Sequence, residues 1–322
     1  MTDLITADIG GTHCRFAIAM RQADGGIALR DIAKLKVADH ASLQSAFETY
    51  RRGLERDVPA FAAIALAAPT DVELITLANN PWVIRPALAA ERLGLESVMF
   101  INDFAAVAHA VAKCGPDELE WIAGPHEGLP AEGVVSVIGP GTGLGVAILL
   151  TGAQPRVVPT EGGHLDYAPL DSLEDQILQQ LRKRFRRVSG ERIVSGSGFA
   201  NVFGALAAIE GRAVPPRDDA QLWSAALEEG DPLAQSAFDR WCLALGAVVG
   251  DLALAQGAEA VVLAGGMLPR IRHLLGSSGF HSRFTAKGRF EARMAAIPIL
   301  HITHPEPGLL GAAAAWFAKG RP

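Results

Sequence analysis

Two glycine-rich turns, each carrying a threonine, stand where an apolar run ends. Leu4-Ile5-Thr6-Ala7-Asp8-Ile9 leads into Gly10-Gly11-Thr12, and Val134-Val135-Ser136-Val137-Ile138 leads into Gly139-Pro140-Gly141-Thr142-Gly143. Backbone N–H groups hold phosphate well when they can come close to it, and glycine allows that because it has no Cβ and tolerates positive φ. Glycine also tips any tight hairpin. A matched pair of Gly-Thr tips after buried strands favours phosphate binding over that alternative, with Gly10, Gly11, Thr12, Gly141, Thr142 and Gly143 as the candidates. Asp8 stands just before the first tip. A carboxylate beside phosphate is repelled unless a cation intervenes, and Mg²⁺ takes one or two carboxylates while keeping several waters. Asp8 therefore suits Mg²⁺ held through water, and equally suits a bond to a turn amide.

Asn102-Asp103 lies where a buried strand passes into a helix, the side of an α/β sheet on which ligands gather. Asp103 has the chemistry to accept the proton of a sugar hydroxyl attacking phosphorus. Phosphoryl transfer depends on positioning more than on base strength. Aspartate is also a favoured helix N-cap, worth about 1 kcal/mol, and the local sequence favours the cap. Glu161 and His164, in Glu161-Gly162-Gly163-His164, have the donor and acceptor groups to fix sugar hydroxyls in direction. A solvated loop is the plainer alternative. Glu191 opens a short helix, where it would also offset the helix dipole. Gly265-Gly266 follows a buried strand; the pair either lets a flat ring lie on the backbone or permits close helix–strand packing. The basic run Arg182-Lys183-Arg184 with Arg186-Arg187 reads as a solvated helix end.

Other chemistries are absent from the sequence. It has no Gly-Lys dipeptide and so no Walker A loop, no His-Arg-Asp or Asp-Phe-Gly triplet, and no His-Glu-x-x-His. Leu144 stands where the last glycine of G-x-G-x-x-G would fall. Three cysteines, Cys14, Cys114 and Cys242, form no CxxC pair; this argues against zinc and disulfides and for a reducing, cytoplasmic setting. The 322 residues are 49% hydrophobic and 20% charged, with a formal net charge of -6, which permits large cores and gives no basic face for nucleic acid or anionic membrane. No signal segment is read at the start. The apolar region 242–266 is too interrupted to span a bilayer.

The elements that would position these groups alternate. Strands are expected at Leu4–Ile9, 14–20, 60–66 and 98–101, then 134–138, 146–150, 260–264 and 297–302. Helices are expected at 104–113, 172–187, 198–210, 218–229, 232–256 and 308–319. The first hairpin with its Gly-Thr tip is echoed by the second, which suggests two related lobes in an α/β protein with mixed sheets.

Taken in order, these segments resemble the bacterial glucokinase family, in the superfamily of hexokinase-, actin- and Hsp70-like ATPases. Asp8-Ile9-Gly10-Gly11-Thr12 is similar to its first phosphate motif and Ile138 to Gly145 to its second. Val262-Leu263-Ala264-Gly265-Gly266 is similar to its adenosine motif, Ile101-Asn102-Asp103-Phe104 to its catalytic segment, and Pro305 to Gly311 to its C-terminal turn. The resemblance implies a two-lobed actin-like (ribonuclease H-like) ATPase fold with an interlobe cleft. The lobes would be 1–113 plus 303–322 and 114–302. It implies ATP-dependent phosphorylation of glucose at the 6-hydroxyl, with Asp103 as the base. Asn79, Asn102, Asp103, Glu161, His164 and Glu191 would contact the sugar. Asp8, the two Gly-Thr tips, Gly265 and Gly266 would serve ATP and its Mg²⁺, in a homodimer. A kinase for another hexose and a non-catalytic sugar sensor remain alternatives. His13 and Ser197 depart from the family's usual asparagine and proline. The stretch just after His164 carries no cysteine-rich motif, so the zinc of the related repressor and kinase branch is not expected.

Overall fold

The computed structural model describes residues 3–77 and 80–320. Strand β1 (Leu4–Ile9) carries no clean polar alternation because its sheet is covered on both faces. It pairs antiparallel with β2 (His13–Arg21), closing the first glycine turn between Ile9 and Cys14. Strand β3 (Ile27–Lys36) continues the meander, and α1 (Leu43–Arg52) follows. β4 (Phe61–Leu66) lies parallel to β1. The small pair β5 (Ile75–Leu77) and β6 (Asn80–Ile84) then precedes α2 (Pro86–Leu93), β7 (Ser97–Asn102) and α3 (Asp103–Val111). The main sheet runs β3-β2-β1-β4-β7.

The rest of the chain supplies β8 (Leu119–Ala123), β9 (Gly133–Pro140), β10 (Leu144–Thr151) and β11 (Arg156–Thr160). Helices α4 (Ser172–Arg182), α5 (Gly196–Ile209), α6 (Asp219–Leu227) and α7 (Pro232–Gln256) follow. Then come β12 (Ala260–Leu263), α8 (Leu268–Leu275), α9 (Phe280–Thr285), α10 (Glu291–Ala295), β13 (Ile299–Ile302) and α11 (Pro307–Ala318). Strands β10, β9, β12, β13 and β8 lie side by side in that order. The chain divides into two units: Met1–Glu118 with Pro155–Pro159 and Thr303–Pro322, and Leu119–Gln154 with Thr160–Ile302.

In the first unit, one face of the sheet packs Ile5, Ile9 and Phe16 against Phe47 and Tyr50 of α1 and against Trp82. The Phe16 and Tyr50 rings stack at 5.2 Å. The other face packs Ala63 and Ala65 against Ala106 of α3 and Ala312, Ala313 and Trp316 of α11. Small residues let α3 and α11 approach closely. A Cβ on Gly311 would overlap the Ala106 carbonyl oxygen. In the second unit, Phe199, Trp223, Phe238 and Trp241 form the aromatic centre around α5, α6 and α7. Arg283 is buried there, and its Nη2 donates to both oxygens of Glu174 at 2.6 and 2.7 Å. Among the described residues no helix is long and apolar enough to cross a membrane.

Three local readings differ from the structure. Strand β3 escapes the sequence pattern because a bulge breaks its alternation. Asp31 has φ 52°, and the register moves from Phe16↔Ala33 to Ile18↔Arg30, setting two β3 residues against Ala17. Helix α4 stops at Arg182, five residues short of expectation. The basic run at and beyond its end is exposed, as a solvated helix end should be, with Arg184 over the Phe185 ring and Arg187 paired with Asp166 at the surface. Finally, α3 is capped by Asn102, whose Oδ1 accepts from Ala105 N at 3.0 Å, and not by Asp103.

Two outcomes test this packing. Gly311→Ala is expected to lower stability by about 2–3 kcal/mol through overpacking, read by denaturant unfolding; a loss under about 0.5 kcal/mol would remove the helix contact from the argument. His109 on α3 titrates at about 4, pushed down by burial and then by Lys319. The folded protein keeps it neutral while the unfolded chain takes up a proton below about pH 6.5. Its contribution is thus present above that pH and is lost as pH falls toward 4, by at most about 3 kcal/mol. His109→Gln should flatten stability against pH in that window, and an unchanged slope would exclude the assignment.

Candidate active site

The first glycine turn is braced from inside its own unit. Gly10 N donates to His13 O at 3.0 Å and Val37 N to Thr12 O at 2.9 Å. Asn80, nearly buried, reaches across from β6: its Nδ2 donates to Gly10 O at 3.0 Å while its Oδ1 accepts from Trp82 N at 2.9 Å. Trp82 Nε1 in turn donates to His40 O at 2.9 Å. His13, at the turn's edge, titrates below its usual range through partial burial and then the cations Lys34, Arg15 and Lys36.

Asp8 lies next to this turn among charges. Arg15 Nη1 donates to Asp8 Oδ2 at 3.4 Å, and Arg15 Nε stands 3.2 Å from Glu306 Oε2. Burial pushes the Asp8 carboxyl above the usual carboxylate range; Arg15 pulls it down and Glu306 pushes it up. A Cβ on Gly308 would meet Asp8 Oδ2 at 2.7 Å, so the first turn of α11 must be glycine there for the carboxylate to fit. Thr6 Oγ1 donates to Leu309 O at 2.7 Å and fixes that turn. Asp103 occupies the first turn of α3, its Oδ1 accepting from Phe104 N at 2.9 Å. Asn102 ends β7 opposite Leu66 of β4, so the pair sits at the carboxyl end of parallel strands.

In the second unit, two separate segments converge on Leu144, the first residue of β10. A Cβ on Gly163 would overlap the Leu144 carbonyl oxygen, and one on Gly162 would meet Val146 Cγ1 at 3.0 Å. The two glycines thereby let the Glu161–His164 loop lie flat on β10. Ser189 bridges to Asp166, and Gly190 N donates to Leu165 O at 2.8 Å. That docking places the short 3-10 turn Gly190–Arg192 beside the same strand. Glu191 Oε2 then accepts from Leu144 N at 3.0 Å. The exposed Glu161 and His164 side chains face each other, with Oε2 and Nε2 4.0 Å apart.

The second hairpin is tied down by Gly141 N donating to Gly143 O and by Gly196 N donating to Gly141 O, each at 2.8 Å. The two glycines after β12 divide in role. Gly265 has φ 98°, and a Cβ there would meet Pro140 O at 2.5 Å, so packing demands it; Gly266 faces open space. Asn79 lies outside the described residues. Sequence reasoning passed over Asn80, Arg15, Glu306 and Gly308. Asn80 had a signal in Asn80-Pro81, a turn-forming pair beside the apolar Trp82. The Arg15 and Glu306 pairing had none, since it joins residues 291 positions apart in number.

No group of three or more His, Cys, Asp or Glu among the described residues could cage a metal ion. All three cysteines are free.

These two units define an ATPase-superfamily sugar kinase: mixed sheets, a glycine-threonine turn on each, and an acid beside one of them. A family model described as Glucokinase matches residues 5–319. The chain is 54% identical over 318 residues to a glucokinase of Zymomonas mobilis subsp. mobilis, covering 98% of each. It superposes with a TM-score of 0.85 on a crystal structure of glucokinase from an Antarctic psychrotroph, at 32% identity and 98% of each chain. The fold is shared further with a ROK family glucokinase from Streptomyces griseus solved with glucose and AMPPNP, at TM-score 0.65 and 21% identity, covering 97% of this chain and 98% of that one. The chain belongs to the glucokinase family.

Asn80 is the brace of the first turn that a mutation can isolate. Asn80→Ala should cost about 1–3 kcal/mol, because the Gly10 carbonyl and Trp82 amide lose their partner in a buried place. Asn80→Asp should retain the Trp82 bond and lose only the other. Equal losses for both variants in denaturant melts would refute the bridging role.

Proposed function

We propose that this protein transfers the γ-phosphoryl group of ATP to the 6-hydroxyl of glucose, giving glucose 6-phosphate. The observation that carries the reading is the whole-chain match to glucokinases, at 54% identity across 98% of the chain. The positions of the side chains support it residue by residue.

Asp103 accepts the hydroxyl proton as the oxygen attacks phosphorus. It stands in the first turn of α3, where Asn102 caps the helix and Asp103 Oδ1 accepts from Phe104 N. Asn79, Asn102, Glu161, His164 and Glu191 hold sugar hydroxyls. Gly10, Gly11 and Thr12 serve the nucleotide phosphates through their backbone, as do Gly141, Thr142 and Gly143. Gly265 shapes the backbone and Gly266 offers the open face for the adenosine moiety. Excluding water from the closed complex protects ATP from hydrolysis.

Mg²⁺ fits as a passenger on the nucleotide. Asp8 stands beside the turn with one oxygen turned to Arg15, a single carboxylate of the kind that assists a metal held mainly by phosphates and water. When bound, it neutralises the charge on the transferred group. Three free cysteines suit a cytoplasmic setting. The family resemblance extends the reading to a homodimer.

A coupled assay with ATP and glucose tests the roles. Asp103→Asn should retain sugar and nucleotide affinity and lose at least about a hundredfold in kcat. Glu161→Gln should raise the glucose KM by roughly tenfold with kcat less affected. Near-normal turnover in the first variant, or an unchanged KM in the second, would take that residue out of its role.

A further inference from the structure

We propose that Gly143 is a positioning residue for Glu191, so that the second glycine hairpin serves the sugar as well as the nucleotide; the proposal rests on the reading that Glu191 holds a sugar hydroxyl. Gly143 is not glycine for its own backbone. Its φ lies outside the positive range in which glycine is needed, unlike that of Gly265 at 98°. What fills the space of its missing side chain is the Glu191 carboxylate. A Cβ at position 143 would overlap Glu191 Oε2 and stand 3.3 Å from its Cδ. The same oxygen accepts the Leu144 amide at 3.0 Å. One carboxylate oxygen is thus located by two adjoining residues, by a donor at 144 and by an absence at 143.

The hairpin's two inner glycines consequently have different reasons to be glycine. The Cβ direction of Gly141 is open, with nothing within 4 Å, as expected where an external ligand approaches. The Cβ direction of Gly143 is taken. The carboxylate fills only the side-chain direction of Gly143, so the backbone there can still serve the nucleotide phosphates. Because the colliding group is the far end of a flexible side chain, a methyl at 143 would displace Glu191 rather than unfold the hairpin. The damage should appear in sugar binding.

The test is a double-mutant cycle with Gly143→Ala, Glu191→Ala and the double variant, read by KM for glucose, KM for ATP and thermal melting. Gly143→Ala is expected to raise the glucose KM by roughly tenfold, the size of a misplaced charged hydrogen bond, and the ATP KM by a clearly smaller factor. In the Glu191→Ala background the same alanine should add less than about twofold, because the group it displaces is gone. If it raises the glucose KM by the same factor in both backgrounds, or in neither, or if the ATP KM carries the effect, the proposal is overturned. If Glu191→Ala itself leaves the glucose KM unchanged, the sugar reading of Glu191 fails first, which is a separate result. Should Gly143→Ala fail to fold, the double variant is expected to fold, and failure of both overturns the proposal.

Discussion

The missing Cβ of a few glycines is the constraint on which both units depend. Backbone and carboxylates come together in this protein at distances that a single methyl group would forbid. Gly163 lies on the Leu144 carbonyl, Gly311 on the Ala106 carbonyl, Gly308 on the Asp8 carboxylate and Gly265 on the Pro140 carbonyl. Interiors are packed so tightly that such contacts cannot be relaxed by small adjustments elsewhere. Each of these glycines therefore fixes where a neighbouring segment sits, and the candidate site side chains ride on those segments. Glu161 and His164 stand where they do because Gly162 and Gly163 let their loop settle on β10. Asp8 stands where it does because α11 begins with a residue that has no side chain at 308.

Leu144 shows how this arranges chemistry as well as shape. Its carbonyl side accommodates one loop and its amide binds the carboxylate of another. Two stretches of chain far apart in sequence are thereby referred to one residue of one strand. Errors in placing either loop would otherwise accumulate through the connections between them. Sharing a strand residue removes that source of error and holds the groups to the tolerance that a functional site requires.

Much of this was legible in the sequence, for identifiable reasons. β1 and α7 fall at their expected limits because an apolar run bounded by glycine, and a long helix opened by Asp231-Pro232 and closed by Gly257, are strong local signals. The two glycine hairpins were visible because two turns repeated one another. β3 was not, since its bulge at Asp31 interrupts a period-two pattern already weakened by exposure at an edge. The cap of α3 was assigned one residue late because Asn and Asp are nearly equal as caps, so the choice between neighbours is made by where β7 ends. The reasons for individual glycines were out of reach altogether. Gly141, Gly143 and Gly265 look alike in sequence, and only the atoms beside them tell open space, carboxylate accommodation and strand contact apart.

The Asp8 environment carries the argument furthest from the local sequence. Two carboxylates, Asp8 and Glu306, share one guanidinium, so the group as a whole retains excess negative charge in a partly buried place. Burial first raises the proton affinity of Asp8, Arg15 lowers it, and the charge of Glu306 adds to the rise. An unaccompanied polyphosphate would be opposed there, whereas the same polyphosphate bearing a divalent cation would meet a favourable charge. In the proposed reaction, a preference for metal-loaded nucleotide would draw on both acids rather than on Asp8 alone. That second acid arrives with α11, which is anchored by Leu309 O accepting the Thr6 hydroxyl. The chain's last helix consequently completes the electrostatics of its first strand, and the acid beside the glycine turn acquires its character only when residues about 300 positions apart have met.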